Sequence, residues 1–301
     1  MPPENTPDNI QPAFDTPMQL GESPTWVASE AALYWIDIAA CALHRLHPAS
    51  GVHHSWPLPA EPGCIAACSD GGLIVAMRSG LAWFDPHNGA LTPIADAPYD
   101  ISKLRFNDGR CDSAGRLWVG TLYEPRDQPL AALYRVERGV IGDSGKRVTV
   151  SNGVAFSPDG SILYHADTNA HAIHAYDFDP ALGTLGAGRL FKQFADERLA
   201  PDYGGRPDGA AVDSEGAYWC AMYEGGRLLR LAPNGDVLRE IRLPVRCPTM
   251  MAFGDDDLRT LYVTTSRHNR PATELQHYPL SGYILSLRID VPGRPEFAYV
   301  R

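Results

Sequence analysis

The chain has 301 residues, enough for two ordinary domains or one large barrel or propeller, and 44% of them are hydrophobic against 21% charged, a composition that supports a buried core and excludes general disorder. Lys and Arg number 26 against 36 Asp and Glu, giving a formal charge of -10, so no basic stripe stands ready to neutralise phosphates and nucleic acid is not an expected partner. No apolar run approaches the roughly 20 residues of a membrane span, which excludes a helical membrane protein.

The first residues, Met1-Pro-Pro-Glu-Asn-Thr-Pro-Asp-Asn9, carry neither the basic nor the apolar region of a secretion signal. They predict a disordered tail over residues 1–14, followed by one domain over residues 15–301, in a cytoplasmic protein. Cys41, Cys64, Cys68, Cys111, Cys220 and Cys247 are scattered with no C-x-x-C pair, the pattern of buried thiols in a reducing compartment and not of a disulfide framework. Cys64 and Cys68 lack the second pair that a zinc site needs.

Along the rest of the chain, sustained 3.6-residue periodicity is missing, and 28 Gly and 26 Pro punctuate short aromatic and β-branched runs, an all-β pattern. One phrase recurs, a polar turn followed by an apolar strand. Leu33-Tyr-Trp-Ile follows Ser29-Glu30, and Leu73-Ile-Val-Ala follows Asp70-Gly71-Gly72. Leu117-Trp-Val-Gly follows Asp112-Ser-Ala-Gly115, and Ile162-Leu-Tyr-His follows Ser157-Pro-Asp-Gly160. Tyr218-Trp-Cys-Ala follows Asp213-Ser-Glu-Gly216, and Leu261-Tyr-Val-Thr follows Gly254-Asp-Asp-Asp257. A second strand ending in a polar turn comes after each, as in Leu43-His-Arg-Leu-His-Pro and Ile173-His-Ala-Tyr-Asp-Phe-Asp-Pro. Six units of about fifty residues have the size of four-stranded propeller blades. The expected fold is all-β, a six-bladed β-propeller, with an N-terminal strand completing the last blade.

Eight residues before the turn glycines Gly115, Gly160 and Gly216 stand Asn107, Asn152 and Asp208, and the same step back from Glu30 reaches Glu22. This is where the first strand of each unit begins, the strand that lines the channel of a propeller. The second and sixth units offer Gly63 and Pro248 there, which carry no side-chain oxygen. Asn-Gly and Asp-Gly are turn formers taken singly, but turn propensity explains neither Glu22 nor four oxygen-bearing side chains at one level. Two carboxylates and two amides are hard donors suited to Ca²⁺, Mg²⁺ or Mn²⁺, too few to fill a coordination shell, which leaves room for water or substrate as metal-assisted hydrolysis requires.

Leu20-Gly-Glu22-Ser-Pro-Thr-Trp, Arg105-Phe-Asn107-Asp-Gly, Ser151-Asn152-Gly153-Val-Ala-Phe-Ser-Pro-Asp-Gly and Pro207-Asp208-Gly-Ala-Ala-Val-Asp together resemble the motifs of the senescence marker protein (regucalcin) and gluconolactonase family, in the family's order and across residues 17 to 295. Leu275-Gln-His-Tyr-Pro-Leu-Ser-Gly is similar in particular to bacterial members that hydrolyse pentonolactones, such as xylonolactonases, or related aldonolactones. The resemblance implies one divalent metal on Glu22, Asn152 and Asp208, which could be Ca²⁺, Mn²⁺, Mg²⁺, Zn²⁺ or Fe²⁺. It implies that Asp208 is also the general base, and that Arg105, Asn107 and Glu124 contact the substrate. Glu124, in Gly120-Thr-Leu-Tyr-Glu124-Pro125, stands one place early relative to some relatives.

The expected function is therefore hydrolysis of a small-molecule sugar lactone (glucono-, xylono- or arabinonolactone) to the aldonic acid, in a cytoplasmic monomer or weak homo-oligomer. Two alternatives use the same residues: a lactonase or esterase for a non-sugar ester, and a calcium-binding or interaction propeller without catalysis. Arg105, Asn107 and Tyr123 are expected to form a polar, hydroxyl-binding mouth that favours sugars. None of the ten histidines recurs at the channel register, and no Gly-x-Ser-x-Gly elbow occurs.

Overall fold

Short apolar runs between Asp-, Asn- and Gly-rich turns give a helix nothing to build on, and in the structure, a computed structural model that describes residues 10–200 and 202–301, they pair into six antiparallel four-stranded sheets. Blade one holds Gly21–Val27, Ala32–Asp37, Ala42–His47 and Val52–Pro57, and blade two holds Pro62–Ala67, Leu73–Met77, Gly80–Asp85 and Ala90–Asp96. Blade three holds Leu104–Cys111, Leu117–Tyr123, Ala131–Glu137 and Val140–Val148, and blade four holds Ser151–Phe156, Ile162–Asp167, Ala172–Asp179 and Thr184–Gln193. Blade five holds Arg206–Val212, Tyr218–Tyr223, Arg227–Leu231 and Val237–Arg242. Blade six joins Pro248–Gly254, Thr260–Thr265 and Leu285–Arg288 to the N-terminal strand Gln11–Pro12.

The first strands touch one another in cyclic order, the sixth meeting the first, so the six sheets form the ring of a six-bladed β-propeller. The expected closure by the N-terminal strand is present, with Gln11 opposite Ser286 and Pro12 opposite Leu285. Residues 11 and 12 therefore belong to the sixth blade and not to the tail expected over residues 1–14, whose first nine residues lie outside the described part of the chain. Among the described residues the one α-helix is the short Ala272–His277, and no helix is long and apolar enough to cross a membrane.

The turn chemistry explains why the phrase repeats. Gly115, Gly160 and Gly216 have φ of 78°, 70° and 84°, backbone that side chains bearing a Cβ rarely adopt. In blades three and five the turn carboxylate also fastens the next strand, since Asp112 accepts from the indole of Trp118 and Asp213 from that of Trp219, both at 2.9 Å. Both indoles are buried between sheets. The apolar core is spread over these inter-blade interfaces, as expected when each sheet is apolar on both faces. The C-terminal segment seals one end of the ring. Its backbone meets Ser214 through Pro292, Ala67 through Tyr299 and Gly115 through Val300, and Glu296 pairs with Arg110.

All six cysteines are free thiols and five are buried.

Candidate active site

The end of the channel away from that seal is built by six β-bulges at one level. In every innermost strand the register slips at the same point, between Glu22 and Thr25, Pro62 and Cys64, Phe106 and Gly109, Asn152 and Ala155, Pro207 and Ala210, and Pro248 and Met250. A bulge bends its strand and re-aims the side chain it carries, which is how Glu22, Asn107, Asn152 and Asp208 come to line one cavity of about 110 Å³. Two bulges need left-handed backbone, at Ser23 (φ 48°) and Gly153 (φ 58°). A Cβ on Gly153 would sit 2.3 Å from the hydroxyl of Tyr218. Gly63 answers a different need, because a Cβ there would lie 2.3 Å from the carbonyl oxygen of Phe106. Blade two thus gives up a side chain so that the strand bearing Asn107 can approach.

Strand starts are pinned as well. Asp37 accepts the backbone N–H groups of Gln19 and Leu20 (2.7 and 3.1 Å), and Asp167 accepts those of Thr149 and Val150 (2.9 and 3.2 Å). Both fix the segment that leads into a site residue.

A directed chain of hydrogen bonds holds the amides. Arg105 Nη1 donates to Asn107 Oδ1 at 2.7 Å, and Asn107 Nδ2 donates to Asn152 Oδ1 at 2.7 Å and to the Ser151 carbonyl at 2.8 Å. Asn152 Nδ2 donates to Thr168 Oγ1 at 2.8 Å, whose hydroxyl donates to the Pro207 carbonyl at 2.7 Å. Every amide is thereby locked in one orientation, and Asn152 Oδ1 keeps a second lone pair.

The carboxylates are treated in the opposite way. Glu22 and Asp208 are only 9% and 6% exposed, yet among the described residues the single hydrogen bond either receives is from the Ser23 backbone N–H to Glu22 Oε2 at 3.0 Å. Burial and the negative charges of Asp208 and Asp108 push Glu22 well above the carboxylate range. Burial and Asp108 raise Asp208 to about 8, against the opposing pull of Arg206, Arg126 and Arg105. Asp108, buried next to Asn107, receives the Val154 N–H on one oxygen at 2.9 Å, while its other oxygen is buried without a partner among the described residues.

Buried carboxylates that repel one another and lack donors are costly unless a cation joins them. Among the described residues no three His, Cys, Asp or Glu side chains are grouped to hold an ion. The donors at this cavity are instead two carboxylates and a fixed amide oxygen, an oxygen-only set that suits a hard divalent cation.

Arg105 also lines the cavity. It is 8% exposed, no carboxylate lies within ion-pair distance among the described residues, and burial holds its guanidinium below the usual arginine range. Two expected contacts lie elsewhere. Glu124 is not part of the lining; Arg78 takes its carboxylate through Nη2 at 2.5 Å and Nη1 at 3.3 Å, and pairs on its other side with Glu61. Tyr123 packs with Leu104, Ala131 and Val148. Residues that sequence reasoning missed take those places on the wall: Arg206, Arg126, Tyr223 and Asn169. Among the described residues no histidine lines the cavity. His165 is buried against Ser151 Oγ at 2.7 Å, and burial lowers its imidazole to about 3.

Comparison with known proteins adds to this geometry. Residues 20–267 match the family described as SMP-30/Gluconolactonase/LRE-like region. The chain is 48% identical over 285 residues, 93% of its length and 94% of the relative's, to a 6-deoxy-6-sulfogluconolactonase of Pseudomonas putida. It is 32% identical to a pentonolactonase of Haloferax volcanii, covering 94% of this chain and 95% of that one. A solved calcium-binding protein, regucalcin of Agrobacterium tumefaciens, superposes with a TM-score of 0.90 at 30% identity, covering 96% of both chains.

Proposed function

Because the chain belongs to the SMP-30/gluconolactonase/LRE-like family, we propose that it is a divalent-metal-dependent hydrolase that opens a sugar lactone, an aldonolactone, to the aldonic acid. The observation that carries this reading is the pair of buried carboxylates, Glu22 and Asp208, facing a cavity beside an amide oxygen locked in place, with almost no hydrogen bonds of their own. The names of the relatives, a sulfogluconolactonase and a pentonolactonase, support the lactone as substrate class.

Glu22, Asn152 and Asp208 would hold the ion, which when bound would polarise the lactone carbonyl and offset the charge that builds on its oxygen. Asp208, as a carboxylate facing the cavity, would take a proton from the attacking water. The water oxygen bonds to the carbonyl carbon, the ring C–O bond breaks, and the ring oxygen leaves as a hydroxyl. Arg105 and Asn107 orient the ring, Asn107 through an amide already held at both ends, so that little freedom is lost on binding.

A second reading, a calcium-binding propeller without catalysis, draws on the name of the Agrobacterium structure. A pH-stat assay with gluconolactone and pentonolactones separates the two. Acid release that stops with chelator and returns with a single divalent ion supports the hydrolase, and ion binding without acid release from any lactone supports the binding protein.

A further inference from the structure

Beneath the locked amides lies a polar pair that the proposed chemistry does not use. Ser151 and His165 are 0% and 1% exposed, and Ser151 Oγ and His165 Nε2 share a hydrogen bond at 2.7 Å. The other imidazole nitrogen, Nδ1, is buried without a partner among the described residues. A buried polar atom left unmet is costly, so for packing alone an apolar side chain would serve this place better than histidine. Blade three gives way here too. A Cβ on Gly120 would stand 1.7 Å from Ser151 Oγ and 2.3 Å from Ser151 Cβ, so the strand Leu117–Tyr123 omits a side chain where Ser151 points.

Ser151 stands directly before Asn152, and its carbonyl is one of the two acceptors of Asn107 Nδ2, at 2.8 Å. Support from the neighbouring strand ends at the same place. Ser151 lies opposite Asp167 and Asn152 opposite Ala166, after which the register slips before Ala155 and Gly153 turns to φ 58°. A strand that loses its ladder at a bulge is free to bend there. The side chain of Ser151, held from below by His165, is the anchor that reaches into the core next to this bend.

On the lactonase reading, on which this inference rests, Asn152 holds the ion and Asn107 orients the ring. We propose that Ser151 and His165 are positioning residues for both: their hydrogen bond holds the Ser151 carbonyl where Asn107 meets it, and fixes the backbone from which Asn152 presents its oxygen. Neither touches ion or substrate. A pair that served packing alone would affect stability and leave ion binding untouched.

The test uses Ser151→Ala combined with His165→Leu, and His165→Gln alone. The double variant removes both partners and the unmet Nδ1 together, a change that is nearly neutral for folding, so thermal unfolding in chelator should stay close to wild type. Mn²⁺ binding by calorimetry should nevertheless weaken about 10- to 100-fold, the range for losing a group that orients a ligand. At saturating Mn²⁺, KM for gluconolactone should rise about 3- to 10-fold while kcat holds, as for one weakened binding contact. Glutamine can place its amide nitrogen where imidazole Nε2 stands, so His165→Gln should recover most of both. Unchanged Mn²⁺ affinity and KM in the double variant overturn the proposal and leave the lactonase reading standing, as does a folded His165→Gln that recovers neither. Should the double variant fail to fold, Ser151→Ala replaces it: weaker Mn²⁺ binding there supports the proposal, and wild-type binding overturns it. If wild type binds Mn²⁺ but hydrolyses no lactone, the lactonase reading falls and calorimetry alone decides; if it hydrolyses lactone without any ion, KM decides. A wild type that does neither overturns the proposal along with the reading.

Discussion

Replacing Asp208 by Asn should make the metal-free protein more stable at neutral pH while removing its chemistry. The native protein raises this carboxyl from 3.8 to about 8, so it binds the proton more tightly than the unfolded chain does. Stability from this group is fully present below about pH 4 and is lost as pH rises toward 8. At pH 7.5 the loss is about 5 kcal/mol, at roughly 1.4 kcal/mol per unit. An amide in the same place carries no such charge, and leaving it without a partner costs about 1–3 kcal/mol, so the variant gains about 2–4 kcal/mol net. Removing Asp208 also relieves Glu22 of a repelling neighbour, which acts in the same direction. Urea or thermal unfolding in chelator at pH 4.5 and pH 7.5 reads this out. Wild type should weaken between the two pH values, by on the order of 10 °C in Tm for a chain of this size. Asp208→Asn should weaken far less and cross above wild type. Divalent ion should then stabilise wild type much more than the variant. A chelated Asp208→Asn protein less stable than wild type at pH 7.5 would refute the reasoning, because the buried carboxylate would not be the burden described.

In turnover, Asp208→Asn should lose several orders of magnitude even at saturating metal, whereas Glu22→Gln should recover part of its activity as metal is raised; steady-state rates over a metal titration check both. Arg105→Ala should raise KM or lower kcat/KM for the lactone while metal content, measured by elemental analysis, stays at the wild-type level. Asn107→Leu frees Asn152 Oδ1 and leaves a buried arginine donor unmet, so the ion should bind 10- to 100-fold more weakly by calorimetry, the range for losing a group that orients a ligand. Because Glu22 and Asp208 are both raised by burial and repulsion, loading the ion at pH 7 should release protons. Its apparent affinity should climb with pH toward 8, by about tenfold per unit for each proton displaced, and calorimetry in buffers of different ionisation heat counts those protons.

The fold was legible because turn chemistry repeats. The left-handed turn glycines Gly115, Gly160 and Gly216 mark hairpins, and the constant step of eight residues back from them finds Asn107, Asn152 and Asp208. Part of the wall was legible by the same rule but went unread. Side chains two apart on a strand share a face, so Arg206 stands to Asp208 as Arg105 stands to Asn107, and Leu20 and Val150 line the cavity in the same way. Other features leave no signal in spacing. The bulges that re-aim the site are a property of strand pairing. Arg126 comes from the loop between the second and third strands of blade three, which the strand register does not place, and Glu124 was lost to the site because Arg78, forty-six residues earlier, takes its carboxylate. Tyr123 and Tyr223 close equivalent strands, yet one packs into an apolar cluster and the other lines the cavity.

Glu22, Asn152 and Asp208 are proposed to hold one divalent ion in the cavity at the open end of the channel. Anomalous diffraction from crystals of the chain loaded with Mn²⁺ tests it most directly. The predicted result is a single anomalous peak within about 2.0–2.6 Å of an oxygen from each of the three side chains. A protein that hydrolyses lactone in the same Mn²⁺ solution yet shows no peak in this cavity, or shows its ion bound elsewhere, contradicts it.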